Sequence, residues 1–309
     1  MNWHSYCIFL KQNIKMKKIL IILLFSLFVN CSENTEVSGT EIFPGNTSIQ
    51  TINHDGLERQ YLIYVPNSYD GNSKLPLMIN FHGYGGQAND HMAYTDMRSL
   101  ADSKNFILVY PQGSELGGYP HWNASLNGGD NKSSVDDLGF IEVLINLHSE
   151  IVDLKRVYAF GYSNGGMMSY ALACYKSNLI AAIGSVSGSM LQTDCTPSHP
   201  IPLIKLHGTS DGTLPYDGNS DGVISVQNTL DFWINFNKTS SNPVVKSVND
   251  NGTVIENFLY NSGTNDVSIE HYKIINGGHV WFNNNFEGNN TNELIWNFVS
   301  KYDINGLRN

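Results

Sequence analysis

The chain has 309 residues, of which 41% are hydrophobic and 15% are charged, a composition ordinary for a globular protein with a sizeable buried core. Its formal net charge is -10 at pH 7. Because an acidic surface repels phosphate backbones, we predict that the protein has no nucleic-acid partner.

Residues 1–30 are predicted to contain an export signal. Two lysines after Met16 precede an almost continuous apolar run, residues 19–29, which is too short to span a bilayer and is typical of a signal peptide. Met16 is then the expected start, and residues 1–15 are an upstream extension. The run ends at Cys31, which resembles the lipidated cysteine of a bacterial lipoprotein. We therefore expect a lipid-anchored protein of the periplasm or cell surface, with simple secretion as the alternative.

The chain after the export signal is predicted to contain one domain. Residues 31–47 are polar and are expected to form a flexible tether, and residues 48–309 a single catalytic domain. The domain contains two cysteines, Cys174 and Cys195. In an oxidising compartment they are expected to form a disulfide, and two buried thiols are the alternative. The sequence has no C-x-x-C pair, so it offers no support for a structural zinc site.

Within this domain, strand-like apolar runs alternate with segments of helical spacing. The predicted strands are residues 59–66, 75–83, 106–111, 156–161, 180–188, 201–208 and 267–276. The predicted helices are residues 90–104, 135–151, 165–175, 226–236 and 291–302. Nearly continuous apolar strands separated by helices indicate an α/β protein with a mostly parallel sheet covered on both faces. Ligands of such sheets bind at the carboxyl ends of the strands.

One serine lies in a glycine-rich turn between a predicted strand and a predicted helix. Residues 161–165, GYSNG, match the pattern G-x-S-x-G. In this strand–turn–helix context the pattern is typical of a nucleophile elbow, which lifts the serine hydroxyl out of the sheet. We therefore predict Ser163 as a catalytic nucleophile, and a structural serine in a tight turn is the alternative.

A serine hydroxyl needs a base that a third group orients, and after this elbow the chain order is Ser, then Asp or Glu, then His. Asp211 follows a buried strand and a glycine turn, so we predict it as the acid. Asp217 and Asp221 are rivals further into a polar loop. His279 follows the last predicted strand, and we predict it as the base. His271 also comes after Asp211, but it lies in the middle of a predicted strand.

A second glycine-rich segment, residues 82–86 (HGYGG), follows the strand that normally donates one oxyanion N–H in enzymes with this elbow. We predict the backbone amide of Tyr84 as that donor, with Gly83 or Gly85 as near alternatives. The second predicted donor is the amide of Asn164, directly after the nucleophile.

Seven segments in this order resemble one known family. They are FHGYGG, DDLGFIEVLI, RVYAFGYSNGGMMSYALAC, AAIGSVSG, LHGTSDGTLPYDG, LDFWINFN and GGHVW. Together they resemble the secreted esterases grouped as polyhydroxybutyrate depolymerase and feruloyl or acetylxylan esterase-like α/β-hydrolases. The resemblance covers residues 60–300 and implies an α/β-hydrolase fold, serine carboxylic-ester hydrolysis and no cofactor. By motif match it implies Ser163 as nucleophile, Asp211 as acid and His279 as base.

Aromatic residues near the predicted site suggest the kind of substrate. Aromatic faces suit a phenolic acyl group or a sugar ring, and we predict Trp122, Trp281 and Tyr84 as substrate-binding residues. The expected substrate is a feruloyl or acetyl ester of plant polysaccharide, or a similar soluble ester. A short-chain polyester depolymerase is the alternative. A serine peptidase of the same fold and a non-catalytic binding protein rank lower. We expect no metal, because DGNSDG (residues 217–222) starts like a calcium loop but lacks the acid that should complete it.

Overall fold

The computed structural model describes residues 37–126 and 133–308. The strands are β1 (Val37–Gly39), β2 (Thr47–His54), β3 (Leu57–Tyr64), β4 (Leu75–Phe81), β5 (Ile107–Pro111), β6 (Ser114–Leu116), β7 (Tyr119–His121), β8 (Val152–Tyr162), β9 (Ala182–Val186), β10 (Leu203–Gly208), β11 (Val244–Asp250), β12 (Thr253–Tyr260), β13 (Ile269–Ile274), β14 (Tyr302–Asp303) and β15 (Gly306–Leu307). The helices are α1 (Ala88–Tyr94), α2 (Arg98–Lys104), α3 (Asp137–Leu147), α4 (Asn164–Tyr175), α5 (Val226–Asn237) and α6 (Thr291–Val299), with 3₁₀ turns at Ser177–Leu179 and Thr264–Asp266.

The centre of the fold is a single large sheet. In the described part of the chain, eleven strands form it in the order β1-β2-β3-β5-β4-β8-β9-β10-β13-β12-β11. The central strands, from β5 across to β13, run parallel to one another. Antiparallel strands flank them, with β3, β2 and β1 at one edge and β12 and β11 at the other. The predicted mostly parallel sheet is confirmed.

Both faces of the sheet are buried. This explains why the sequence of β4 is almost wholly apolar. Successive strand side chains point to opposite faces. Leu77 and Ile79 therefore enter one hydrophobic cluster, with side chains of α3, α4 and α5, while Met78 enters a second cluster with side chains of α1, α2 and α6. The prediction of helices on both faces is also confirmed.

Several elements differ from the predictions, and the strand β2 and the short strands β6, β7, β14 and β15 are among those not predicted. The predicted helix at residues 90–104 is broken into α1 and α2. Thr95 Oγ1 donates back to the His91 carbonyl, and Asp96 Oδ1 accepts from the Arg98 backbone N–H, so local side-chain bonds replace helical ones between the two helices. The antiparallel pair β11–β12 was not predicted, because the side chains of β11 are mostly exposed and lack an apolar alternation.

The segment predicted as a tether differs in part as well. Val37–Gly39 pairs with β2, and Thr40 extends the contact by exchanging hydrogen bonds with Ile49. Backbone pairing thus orders this stretch despite its polar composition. The described residues belong to one compact unit, Thr35–Asn309. The predicted signal peptide and Cys31 lie outside the described residues. Among those described, no helix has the length and apolarity that crossing a membrane requires.

Candidate active site

The strand β8 and the helix α4 meet at Ser163, which has φ 54° and ψ -118°. A non-glycine residue at positive φ is strained, and strain of this kind is typical of functional turns. Two glycines permit the turn: a Cβ on Gly165 would lie 2.1 Å from the Phe81 carbonyl oxygen, and one on Gly161 would lie 2.6 Å from the Gly165 carbonyl carbon. The glycines of G-x-S-x-G are therefore required by close backbone approach.

Three side chains from three strand ends form one hydrogen-bonded chain. His279 Nε2 lies 2.8 Å from Ser163 Oγ, and His279 Nδ1 lies 2.8 Å from Asp211 Oδ2. Ser163 follows β8, Asp211 follows β10 and His279 follows β13, so the parallel sheet brings them to the same edge. The rival acids Asp217 and Asp221 make no contact with His279 in the described structure.

The carboxylate of Asp211 is held in its ionised form. Burial by itself raises its pKa, but hydrogen bonds from His207, His279 and the Leu214 backbone N–H outweigh burial and hold the pKa far below its ordinary value. Asp211 Oδ1 also accepts from the Thr213 N–H at 2.9 Å. At neutral pH this side chain is therefore a fixed acceptor for the His279 ring N–H.

The loops that carry Asp211 and His279 cross at two glycines. A Cβ on Gly208 would lie 2.2 Å from the Gly277 carbonyl oxygen, so only glycine fits there. The Ser210 N–H donates to the same Gly277 oxygen at 2.9 Å. From the other side, Tyr162 Oη donates to the backbone carbonyl of His279 at 2.8 Å. Hydrogen bonds to the backbone carbonyls of Gly277 and His279 thus hold the loop that carries the imidazole.

The segment after β4 lies against the elbow. A Cβ on Gly83 would lie 3.3 Å from the Ser163 Cβ. Of the three candidate amides in this segment, that of Gly85 already donates to the Pro120 carbonyl at 2.7 Å, whereas the described residues provide no acceptor for the N–H of Tyr84 or of Gly83. His82 Nδ1 donates to the Gly83 carbonyl at 2.7 Å and so braces the turn. Burial lowers the pKa of His82 to about 4, so this ring is neutral at pH 7.

A cavity of about 390 Å³, called here the acyl cavity, opens beside Ser163. Tyr84 and Asn164 border it, and Tyr84 is 57% exposed. The apolar side chains that line it are Leu116, Ala124, Met167, Leu191, Leu214 and Val223. Sequence reasoning missed this lining, although Met167 lies one helical turn after Ser163 and Leu214 three residues after Asp211. The residues come from a strand, a helix and several loops that are separate in sequence, so no single motif identifies them.

The two tryptophans predicted to form substrate walls are buried instead. Trp122 borders the acyl cavity but is only 2% exposed, because its indole N–H donates inward to the His82 carbonyl. Trp281 is 3% exposed and does not border the acyl cavity. Its ring packs in the second core, 6.0 Å from the His91 ring and 6.4 Å from the Phe160 ring. Of the three predicted substrate-binding residues, the structure brings only Tyr84 to the cavity with an exposed ring.

The side chain of Asn164 has a structural contact that the motif did not reveal. Its Oδ1 accepts from the Trp122 N–H at 2.7 Å, and its Nδ2 donates to the Trp122 carbonyl at 3.0 Å. The next N–H, of Asn123, donates to Asp137, which forms a buried ion pair with Arg59. This network fixes one wall of the acyl cavity to the residue that follows the nucleophile.

Cys174, near the end of α4, is joined by a disulfide to Cys195. Across residues 37–126 and 133–308, no three His, Cys, Asp or Glu side chains are grouped so that they could hold a metal ion. In the segment that resembles a calcium loop, Asn219 Oδ1 accepts from the backbone N–H groups of Asp221 and Val223. This polar loop is closed by its own hydrogen bonds.

Known proteins resemble the chain in sequence. It is 29% identical over 257 residues to a bifunctional acetylxylan esterase/xylanase from Neocallimastix patriciarum, a match that covers 81% of this chain and 34% of that protein. It is 24% identical to feruloyl esterase B from Piromyces equi, covering 80% of this chain and 46% of the relative. It is 30% identical to feruloyl esterase D from Neurospora crassa, a match that covers 55% of this chain and 59% of that relative. The chain therefore spans about a third to three fifths of the length of these relatives.

Solved structures share its fold. The acetyl xylan esterase from Aspergillus awamori superposes with a TM-score of 0.56 over 86% of this chain and 99% of that one, at 16% identity. An S-formylglutathione hydrolase from Agrobacterium tumefaciens superposes with a TM-score of 0.52 over 79% of this chain and 91% of that one, at 13% identity. At such low identity these likenesses show the fold, which is that of the α/β-hydrolases.

The family match covers the elbow and the acid. The pattern of the family described as Phospholipase/Carboxylesterase matches residues 70–248, which include Ser163 and Asp211. The match covers more than half of the chain and ends before His279. On this match, over a sheet and an elbow of the α/β-hydrolase type, the chain belongs to the Phospholipase/Carboxylesterase family.

Proposed function

We propose that the protein is a serine carboxylic-ester hydrolase that works through an acyl-enzyme. One observation carries the proposal: the hydrogen-bonded chain from Asp211 through His279 ends at Ser163, which borders the acyl cavity. The strained backbone of Ser163 supports it, because an elbow of this kind presents the hydroxyl to a substrate rather than to the protein. Membership of an esterase family supports it independently.

The proposed reaction uses the groups in the order in which they touch. His279 Nε2 takes the proton of Ser163 Oγ while Oγ attacks the ester carbonyl carbon. Asp211 holds the other ring nitrogen and stabilises the imidazolium that forms. The amides of Asn164, at the N-terminus of α4, and of Tyr84 donate to the oxyanion. A water then attacks the acyl-enzyme by the same route and releases the acid.

The proposed substrates are feruloyl or acetyl esters of plant polysaccharide, or similar soluble esters. The relatives in sequence are named as feruloyl and acetylxylan esterases, which supports this class. An acetyl group would leave most of a cavity of about 390 Å³ unfilled. A feruloyl group would place its ring against Met167 and Leu191, so between the two acyl groups the cavity favours the larger one.

The test compares wild type with Ser163→Ala on methyl ferulate, acetylated xylan, short nitrophenyl esters and a polyhydroxybutyrate film. Loss of the hydroxyl is expected to lower kcat by about 10⁴-fold or more on every ester that wild type cleaves. Ser210→Ala is the matched control, because Ser210 is exposed beside Asp211 and lies outside the acyl cavity. Equal hydrolysis by wild type and Ser163→Ala would contradict the mechanism. Cleavage of the film alone would make the protein a polyester depolymerase.

We also propose that the protein is exported and held at a membrane by a lipid on Cys31. The charged and apolar sequence before Cys31 supports export, as does the disulfide between Cys174 and Cys195, since such bonds persist in oxidising compartments. Labelling with a radioactive fatty acid tests the anchor: wild type is expected to incorporate the label and Cys31→Ala to lose it. Release of unlabelled wild-type protein into the medium would favour simple secretion.

A further inference from the structure

A second cavity borders the glycine-rich segment after β4. It is an open cleft of about 290 Å³, called here the Tyr94 cleft. One wall is the segment after β4 and the first turn of α1, and the other includes Tyr94 and Tyr162. Tyr84 borders both cavities, so the two are neighbours separated by a single exposed side chain.

The Tyr94 cleft reaches the catalytic histidine through Tyr162. The Tyr162 ring lines the cleft and lies 5.2 Å from the His279 ring, and its hydroxyl donates to the His279 carbonyl. In the acylation step the Ser163 Oγ–carbon bond forms and the bond to the alkoxy oxygen breaks. The serine proton passes through His279 to that oxygen, and an alcohol leaves. The alkoxy oxygen must therefore lie within hydrogen-bond reach of His279. If the acyl group occupies the acyl cavity, the Tyr94 cleft is the neighbouring cavity that can receive the alcohol, since Tyr84 borders both and Tyr162 joins the cleft to His279.

The surface of the cleft has the two features that a sugar requires. The first is apolar faces, supplied by Tyr84 at 57% exposure and Tyr94 at 50% exposure. The second is hydrogen-bonding groups at the edge. Gln87 and Asp90 are exposed on the first turn of α1, and neither side chain bonds to any described residue. A sugar ring presents C–H groups to an aromatic face and hydroxyl groups to an amide and a carboxylate.

The charge of the cleft selects against acidic groups. Its lining, within the described structure, contains one carboxylate, Asp90, and no Lys or Arg. Burial lowers the pKa of His91 to about 3 and that of His82 to about 4, so both rings are neutral at neutral pH. A phosphate or a uronate would find no cation here.

We propose that the Tyr94 cleft binds the alcohol portion of the ester and that this portion is a neutral sugar residue. The inference rests on the proposed function, because it assigns the leaving-group side of the same site. It makes Gln87, Asp90 and Tyr94 specificity residues, which bind the sugar and take no part in bond breaking.

The experiment compares two esters that share an acyl group and differ in the alcohol. The pair is methyl ferulate and feruloyl arabinose, or methyl acetate and acetyl xylose, according to the acyl group that wild type cleaves. The variants are Gln87→Ala/Asp90→Ala and Tyr94→Ala. The matched controls are Gln227→Ala/Asp231→Ala on the exposed face of α5 and Phe43→Ala, an aromatic residue that is 50% exposed and lies outside both cavities.

We expect wild type to prefer the sugar ester in kcat/KM. The ratio of the two kcat/KM values is expected to fall about 5–20-fold in Gln87→Ala/Asp90→Ala, the effect of losing two hydrogen bonds to hydroxyl groups, and to fall in Tyr94→Ala as well. Both controls are expected to keep the wild-type ratio. The Trp281 backbone N lies 3.3 Å from Tyr94 Oη, and Trp281 is two residues after His279. If Tyr94→Ala acts by disturbing the His279 loop, kcat/KM falls equally for both esters and the ratio does not change.

Two results would overturn the proposal: no preference for the sugar ester in wild type, or a kcat/KM ratio that is unchanged in both variants, whether both esters lose activity equally or neither does. Each is distinct from failure of the proposed function. If only the cleft assignment is wrong, wild type still cleaves the methyl ester and Ser163→Ala still does not.

Discussion

Two residues of the candidate site are held in states that they would not adopt alone. Ser163 sits at φ 54°, and Asp211 stays ionised although it is only 4% exposed. Close glycine contacts hold the serine turn, and four hydrogen-bond donors stabilise the carboxylate. The packing of the surrounding sheet offsets the free-energy cost of this strain and burial. Both side chains are therefore held in the states that the proposed mechanism needs.

Asp211→Asn is expected to lower kcat by about 10⁴-fold and also to lower the stability of the fold, because the neutral amide loses part of the hydrogen bonding that holds the carboxylate ionised. The amide keeps the shape of the carboxylate, but it can present N–H to the His279 ring and favour the wrong tautomer. The measurement is kcat on the best small ester, with the circular dichroism spectrum as a check on folding. Asp217→Asn is the control, because Asp217 is exposed and does not contact His279. Activity within tenfold of wild type would remove Asp211 from the proposed mechanism.

At the scale of elements, α4 joins the site to the core. Its first residue, Asn164, has the backbone N–H that we propose as an oxyanion donor, and its side chain holds the Trp122 backbone through two hydrogen bonds. Its body is buried against the sheet, and Cys174 near its end is bonded to Cys195 in the loop after β9. The helix is therefore fixed at both ends, which holds the elbow steady.

Cys174→Ala/Cys195→Ala is expected to lower the free energy of unfolding by about 2–4 kcal/mol, because the bond closes a loop between residues 21 apart in sequence. Urea unfolding with and without dithiothreitol measures the effect. Reductant should lower the stability of wild type toward that of the variant and leave the variant unchanged. If reductant leaves wild type unaffected although the thiols are shown to be free, the bond contributes nothing to stability.

At the scale of the whole molecule, a buried lysine lies in the middle of an acidic protein, without a carboxylate partner in hydrogen-bond contact among the described residues. Lys205, on the central strand β10, is 1% exposed, and its Nζ donates to the Gly188 carbonyl at 2.6 Å. Burial lowers its pKa to about 7 from an ordinary 10.5, although the Asp211 carboxylate opposes the shift. The folded protein therefore holds this proton less tightly than the unfolded chain does.

The lowered pKa of Lys205 predicts that stability rises with pH between about 7 and 10.5. In that window the unfolded chain keeps the proton and the folded protein has lost it, so the free energy of unfolding gains up to about 1.4 kcal/mol per pH unit from this group. Below pH 7 Lys205 is protonated in both the folded and the unfolded state, so the full destabilising effect of its buried charge is present and no longer changes with pH.

Thermal unfolding at pH 6.5, 8 and 9.5 tests this prediction. The rise in Tm with pH should be smaller in Lys205→Met than in wild type, and it should be unchanged in Lys155→Met, whose lysine is exposed. The difference between the pH dependence of Tm in Lys205→Met and in wild type gives the contribution of the buried lysine, because all other titrating groups are the same in the two proteins. Identical pH dependence in the two proteins would contradict the assigned shift.

Much of the parallel core could be predicted because its signals are local. Apolar runs such as β4 and β5 are buried on both faces, so each is recognisable without its neighbours. The exposed strand β11 and the short strand β1 could not be predicted in this way, because pairing with a neighbouring strand rather than their own pattern defines them. The break at Thr95 was missed for a related reason, since its hydroxyl contacts both Asn80 and His91.

The sequence by itself determined the class of fold, the elbow and the order of Ser163, Asp211 and His279, because these depend on local pattern and on chain order. Only the tertiary structure decided which residues surround the substrate. Trp281, two residues after His279, is turned into the core, while Met167 from α4 and Leu191 and Leu214 from two loops meet at one cavity. A side chain's direction depends on what packs against it, and that information is spread over the whole chain rather than over any motif.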